Sequence, residues 1–236
     1  MTKTAIVTGA SSGIGKAICE TLLDIDYEVY GIGRDFSACG NIVEHGSFHK
    51  VEFDLLATSE IEPMIRDIAK GRTIDLLVNC AGVGYYGLHD EIRPENISEL
   101  IRTNLEVPLL LSNILLKKLK ESKGTILNIA SVTATQSNPH GAAYGATKAG
   151  LLSFGKSLFD EVRKHGVQVT TILPDMTDTN LYRNADFAAS KEENARLVPQ
   201  DVADAVRYIL SCDPHMVITE FTVRPQLHRI EKVQHN

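Results

Sequence analysis

Short β-branched runs alternate with longer segments of helical period from one end of this chain to the other. Parallel strands need a crossover of a dozen or more residues between them, usually a helix, so the alternation selects a parallel sheet. Runs at 3–8, 27–32, 48–53, 74–79, 124–130, 167–173 and 217–223 read as strands. Segments 14–25, 58–70, 94–120, 142–165 and 199–211 read as helices. Both faces of such a sheet must be covered. The expectation is therefore an α/β fold: one doubly wound parallel sheet of about seven strands with helices on both faces. With no repeat, long linker or low-complexity tract, residues 1–236 form a single domain. Residues 35–46 are poorly periodic, which predicts a short crossover there. The mixed stretch 177–198 follows a strand's C-terminal end, the edge where open α/β sheets bind ligands, and is a candidate substrate lid.

The first strand runs into Thr8-Gly9-Ala10-Ser11-Ser12-Gly13-Ile14-Gly15, where a helix opens. Glycines at 9, 13 and 15 let backbone approach a pyrophosphate closely, and the unpaired N–H groups of a helix N-terminus attract the anion. The partner expected is thus a nucleotide. Net charge is −6 with both signs interspersed, and no basic stripe marks a nucleic-acid surface. The four cysteines are dispersed without a C-x-x-C, as in reduced thiols, and no apolar run is long enough to span a membrane. A cytoplasmic location is expected, with neither membrane nor nucleic acid as partner.

Tyr144 and Lys148 stand one helical turn apart, which stacks phenol and ammonium on one helix face. A free phenol titrates near pH ~10, and lowering that by ~3 units takes ~4 kcal/mol. A lysine at ~4–5 Å, at an effective dielectric of ~20, supplies roughly 3–4 kcal/mol. The pair is therefore sufficient, or nearly so, to make an acid–base group. Pro108, inside the 94–120 helix, has no N–H to offer the carbonyl of Asn104 and crowds it. That carbonyl must find another partner.

Taken in order, these motifs resemble the short-chain dehydrogenase/reductase family, in its compact single-domain branch with a Rossmann-type sheet. The glycine turn Thr8 to Gly15, Asp54, the Asn79-Cys80-Ala81-Gly82 run, Asn104, Ser131, Tyr144 and Lys148 all have matching positions. The resemblance implies a cofactor site of Thr8, Gly9, Ser11, Ser12, Gly13, Ile14, Gly15, Arg34, Asp54, Leu55, Asn79, Ala81, Gly82, Tyr144, Lys148, Pro174, Thr177 and Thr179. It implies a catalytic set of Asn104, Ser131, Tyr144 and Lys148, and no metal. Tyr144 would exchange a proton with the substrate oxygen, Ser131 would hydrogen-bond that oxygen, and Lys148 would hold the nicotinamide ribose while depressing the phenol's pKa. Asn104 would support the proton path through a water on its carbonyl. A homodimer or homotetramer through the two long helices is implied as well.

Two positions depart from the family pattern. Asp175 follows Pro174 where the family usually has glycine, which puts the local backbone path in question. The last strand, Phe221-Thr222-Val223-Arg224-Pro225, lacks the Asp-Gly-Gly of many relatives. At the end of the second strand Gly33 occupies the usual acidic position and Arg34 follows it. An arginine accepts the 2′-phosphate of NADP, so NADP is expected; Asp35 as a ribose ligand would instead mean NAD. His45 and His49 have a metal pair's spacing, but Gly46 breaks the helix between them and no third ligand is evident. His140 is read as an exposed loop residue ahead of the Tyr144 helix.

The function expected is NADP-dependent hydride transfer between nicotinamide and a small carbonyl or secondary alcohol. The rival enzyme is a 3-oxoacyl-thioester (acyl-carrier-protein) reductase, and the rival of another class is a non-catalytic nucleotide-sensing regulator. Val83-Gly84-Tyr85-Tyr86, Thr133 to Gln136 and Leu181-Tyr182 suggest a mixed, partly aromatic substrate pocket.

Overall fold

In the computed structural model, which describes residues 2–227 and 229–232, seven parallel strands form one sheet in the order β3-β2-β1-β4-β5-β6-β8. These are β1 Lys3–Thr8, β2 Tyr27–Gly33, β3 Phe48–Glu52, β4 Leu76–Asn79, β5 Thr125–Ile129, β6 Gln168–Pro174 and β8 Glu220–Val223. The helices are α1 Gly13–Asp24, α2 Ile61–Ile68, α3 Pro94–Ile101, α4 Val107–Ser122, α5 Ala142–Val162 and α6 Pro199–Ser211. Alternation within each strand divides the core in two. Ala5, Val7, Leu76, Val78, Leu127 and Ile129 face α1 and α6, burying Ile18, Leu22, Val202 and Val206. Ile6, Leu77, Ile126 and Val169 face the other way onto Ile61, Ile65, Leu111, Leu115 and Leu158 of α2, α4 and α5. The central strands β1, β4 and β5 are buried at nearly every position because both their faces are covered.

One expectation needs correction, and one element was missed. The 94–120 helix is not continuous: α3 and α4 are separated by a π-turn at Arg102–Glu106, where the Val107 N–H donates five residues back to Arg102 O. Pro108 is the cause we assign, since widening the turn ahead of it eases the clash that its ring makes one turn back. The 35–46 crossover is short, as its poor periodicity predicts, with a single 3₁₀ turn at Gly40–Glu44. A further two-stranded antiparallel sheet, missed from sequence, pairs β7 Phe187–Ala189 with β9 Ile230–Lys232.

That small sheet organises the 177–198 segment. Its base is closed by Asp178 N–H to Leu197 O at 2.8 Å and Leu197 N–H to Met176 O at 2.9 Å. The C-terminal stretch fastens its outer side through Lys191 N–H to Glu231 at 2.8 Å and an ion pair between Arg229 and Glu192. The order reverses between β1 and β4, and the groove opens at the C-terminal ends of the strands, as expected of an open α/β sheet. Among the described residues, no helix is long and apolar enough to cross a membrane.

Candidate active site

Close backbone packing builds the groove floor. A Cβ on Gly15 would lie 2.1 Å from Gly9 O, and one on Gly9 would lie 2.9 Å from Ala81 Cα, so a side chain at either position forces backbone apart. Gly9 and Gly13 also have φ of +68° and +52°, which glycine adopts without strain. The Thr8 hydroxyl oxygen accepts from the N–H groups of Cys80 and Ala81 at 3.0 Å each, pinning the end of β1 to the loop after β4. Ser12, the residue ahead of α1, makes no side-chain cap, and the first turn of the helix carries no acidic residue. The helix therefore presents its N-terminal amides to the groove uncapped by its own sequence, a cradle that fits a pyrophosphate.

Along this floor the groove is lined by Gly9, Ser11, Ser12, Gly13, Ile14, Gly15, Arg34, Asp54, Leu55, Ala81, Gly82, Ser131, Tyr144, Lys148, Pro174, Thr177 and Thr179. Three residues expected there stand behind it instead. Thr8 is the buried pin just described. Asn79 is buried, its Nδ2 donating to Asn128 Oδ1 at 2.9 Å across the β4–β5 pair, so its side chain holds the sheet. Asn104 is fully buried and grips Val83 by both main-chain groups, Oδ1 accepting from Val83 N–H and Nδ2 donating to Val83 O, each at 2.9 Å. It also donates to Thr147 Oγ1 at 3.3 Å, and Thr147 donates in turn to Tyr144 O at 2.7 Å. Asn104 thus ties the loop after β4 to the helix that carries the tyrosine.

Ser131 and Tyr144 meet at the groove's inner end. Ser131 Oγ accepts from Thr133 N–H at 3.2 Å, leaving its own proton to donate to the Tyr144 hydroxyl. Lys148 is buried, its Nζ donating to Ile129 O at 2.8 Å and lying 5.7 Å from the Tyr144 ring centre. Here the sequence expectation of a depressed phenol pKa fails. Burial pushes Tyr144 up to about 12, against the pull of hydrogen bonds from Ser131 and Tyr86. Burial likewise brings Lys148 down to about 8. The desolvation that excludes water penalises both charged forms, and it outweighs the attraction estimated for an open helix face.

The departures from pattern have definite places. Asp175 N–H donates to Val223 O at 2.9 Å, so the β6–β8 pairing continues undisturbed past Pro174. The carboxylate accepts from Met176 N–H at 2.8 Å and faces Arg224 at 3.6 Å. Arg34 lines the groove, whereas the Asp35 carboxylate folds into its own loop and accepts from Ser37 N–H at 2.8 Å. A Cβ on Gly33 would press on Ser11 at 3.0 Å, leaving little room for an acidic side chain at that position. Asp54 accepts from Leu56 N–H at 3.0 Å. His49 stacks on Tyr30 and bonds Glu28 at 2.9 Å, His45 accepts from Ser47 N–H, and His140 is exposed.

Sequence profiles decide the kinship: that of the short chain dehydrogenases matches residues 3–189. The chain belongs to the short-chain dehydrogenase/reductase family. A protein of Staphylococcus saprophyticus described as an uncharacterised oxidoreductase is 35% identical over 94% of this chain and 97% of its own length. One from Staphylococcus epidermidis is 34% identical with the same coverage. A metagenomic short-chain oxidoreductase solved with NADP is 30% identical, with a TM-score of 0.80 over 95% of this chain and 98% of its own. A 4-hydroxyisoleucine dehydrogenase solved with NADH and succinate is 25% identical, with a TM-score of 0.82 over 94% of this chain and 97% of its own. This member of the family is thus an oxidoreductase built on the family's sheet.

Groove residues that the sequence reading did not assign include Cys80, Glu99 and Thr103, while Leu181 and Tyr182, expected in the substrate pocket, line it too. Glu99 and Thr103 carried a helical spacing that pointed only to a helix face. Tyr182 lies in the lid, whose path depends on contacts with β9, remote in sequence.

Proposed function

We propose that this chain is an NADP(H)-dependent oxidoreductase that moves hydride between nicotinamide and a small carbonyl or secondary-alcohol substrate, with Tyr144 giving or taking the proton. The observation that carries this reading is the meeting of Ser131 and Tyr144, hydroxyl to hydroxyl, at the inner end of a groove floored by the glycine turn. When bound, the dinucleotide supplies or accepts the hydride. Residues Ser11 to Gly15 and the α1 N-terminus would hold its pyrophosphate, Arg34 its 2′-phosphate, Asp54 and Leu55 its adenine, and Pro174, Thr177 and Thr179 its carboxamide end. Ala81 and Gly82 line the passage between them; a Cβ on Gly82 would lie 3.4 Å from Asn104 Oδ1 and 3.7 Å from Lys148 Nζ.

Tyr144 keeps its proton through neutral pH, since burial holds it at about 12. A phenol so held is set up as an acid, which favours carbonyl reduction over alcohol oxidation. Ser131 donates to the oxygen on which charge develops. Lys148 is anchored by Ile129 O with two ammonium protons left to offer a ribose. Asn104 positions the proton path through its hold on Val83 and Thr147. The family's fold serves both nicotinamides, as the NADP-bound and NADH-bound relatives illustrate; Arg34 in the groove and Asp35 turned away from it favour NADP here. A cytoplasmic homodimer or homotetramer with no membrane or nucleic-acid partner completes the reading. Assay of aldehydes, ketones, hydroxy acids and polyols with both cofactors tests it. Turnover of at least one carbonyl with NADPH is expected, and binding of neither nucleotide would refute it.

A further inference from the structure

A second phenol reaches the acid–base centre. Tyr86, on the loop after β4, brings its hydroxyl within reach of that of Tyr144, and the two ring centres lie 5.5 Å apart. Its position is built rather than incidental. A Cβ on Gly84 would lie 2.7 Å from the Tyr86 ring, and one on Gly141, just ahead of α5, would lie 3.3 Å from it. Both glycines therefore leave room for the ring to fold back over the groove. On its outer side the lid closes the cage: the Tyr86 ring meets Phe187 edge-on at 5.0 Å and Tyr182 at 5.9 Å, and Phe187 and Tyr182 contact each other at 5.5 Å. Phe187 is the first residue of β7, the strand that β9 fastens.

We propose that Tyr86 is a positioning residue for the proton transfer, held against Tyr144 by the lid residues Tyr182 and Phe187 so that acid strength depends on lid closure. The inference rests on the reading of Tyr144 as the general acid. When Tyr144 gives its proton to the substrate oxygen, a phenolate remains in a desolvated site. The hydroxyls of Ser131 and Tyr86 are then the donors that stabilise it. The other titratable groups facing the centre are Lys148, on the same helix, and Tyr182 from the lid; Cys80 stands beside Lys148, and Asp175 beside Tyr182. None of them replaces a hydroxyl aimed at Tyr144 Oη.

Tyr86→Phe keeps the ring and its cage and removes only the donor. In the cofactor-loaded enzyme it should lower turnover about tenfold and move the pH profile of alcohol oxidation to higher pH by about one unit. Cofactor affinity should not change. Phe187→Leu, which loosens the cage but leaves the hydroxyl, should give a smaller shift in the same direction. An unshifted profile in Tyr86→Phe overturns the inference even if the rate falls, because the variant keeps the ring and the burial of Tyr144 and removes only the donor hydroxyl. Tyr144→Phe, assayed beside it, separates the two levels. If it is inactive while Tyr86→Phe is unshifted, only the role of Tyr86 falls; if it stays active, the reading of Tyr144 falls and takes this inference with it.

Discussion

Asp175 and Arg224, which stand in two stretches where this sequence leaves its family's pattern, are partners in space, with carboxylate and guanidinium 3.6 Å apart. One sits just past β6 and the other just past β8, so the pair closes the last rung of the sheet beside the groove. The Asp175 side chain is only 6% exposed, whereas that of Arg224 is 50% exposed, so losing the arginine takes one positive partner from a nearly buried carboxylate. Arg224→Ala should cost ~1–2 kcal/mol in denaturant unfolding, and Asp175→Gly in the Arg224→Ala background should recover part of it. Additive losses in the double variant would show that the two departures are independent.

Gly15→Ala tests the floor. Its Cβ would fall 2.1 Å from a main-chain oxygen, so the glycine turn must open and the pyrophosphate cradle with it. Nucleotide affinity measured by calorimetry should drop by roughly 10²-fold, a loss of ~3 kcal/mol. Gly46→Ala, where nothing lies within 4 Å of the added methyl, should bind as the parent does.

The buried lysine predicts a pH signature. Lys148 titrates at about 8 in the folded protein against 10.5 when free, so between these values the unfolded chain carries the extra proton. Stability from this group is therefore lowest below pH 8 and rises from pH 8 towards 10.5. Lys148→Met abolishes that rise. In the absence of nucleotide, the variant's advantage over the parent should be largest at neutral pH, on the order of 2–3 kcal/mol, and shrink as pH increases. A difference that does not vary with pH would contradict the burial argument.

In the proposed reading, Arg34 sets the cofactor preference. A guanidinium grips a 2′-phosphate through paired charged hydrogen bonds, and losing them costs roughly 1.5–3 kcal/mol. Arg34→Ala should weaken NADP by about 10–150-fold and leave NAD nearly untouched, read as the ratio of specificity constants. If the parent prefers NAD, and Asp35→Ala abolishes that preference, Asp35 is the ribose ligand.

Much of this was legible in the chain because short-range chemistry determines it. The glycine turn, the apolar strands and the Tyr144-Lys148 turn depend on neighbours in sequence, and the groove collects them because their strands all end at one edge. What was not legible depends on distance in sequence. The sequence does not show that the Asn79 amide nitrogen donates to Asn128 on the adjoining strand. β7 carries too few residues to read as a strand until β9 pairs with it. The π-turn ahead of Pro108 is a backbone adjustment with no side-chain signature of its own. The phenol's pKa was misjudged because the sequence reveals the neighbouring charge but not the depth of burial.

The central claim is that the proton moves at Tyr144, and Tyr144→Phe tests it most directly. The substitution removes one oxygen and leaves the buried ring, so nucleotide affinity should stay within about twofold of the parent while turnover of any accepted carbonyl falls by at least ~10²-fold. Near-parental turnover with unchanged nucleotide binding would contradict the account.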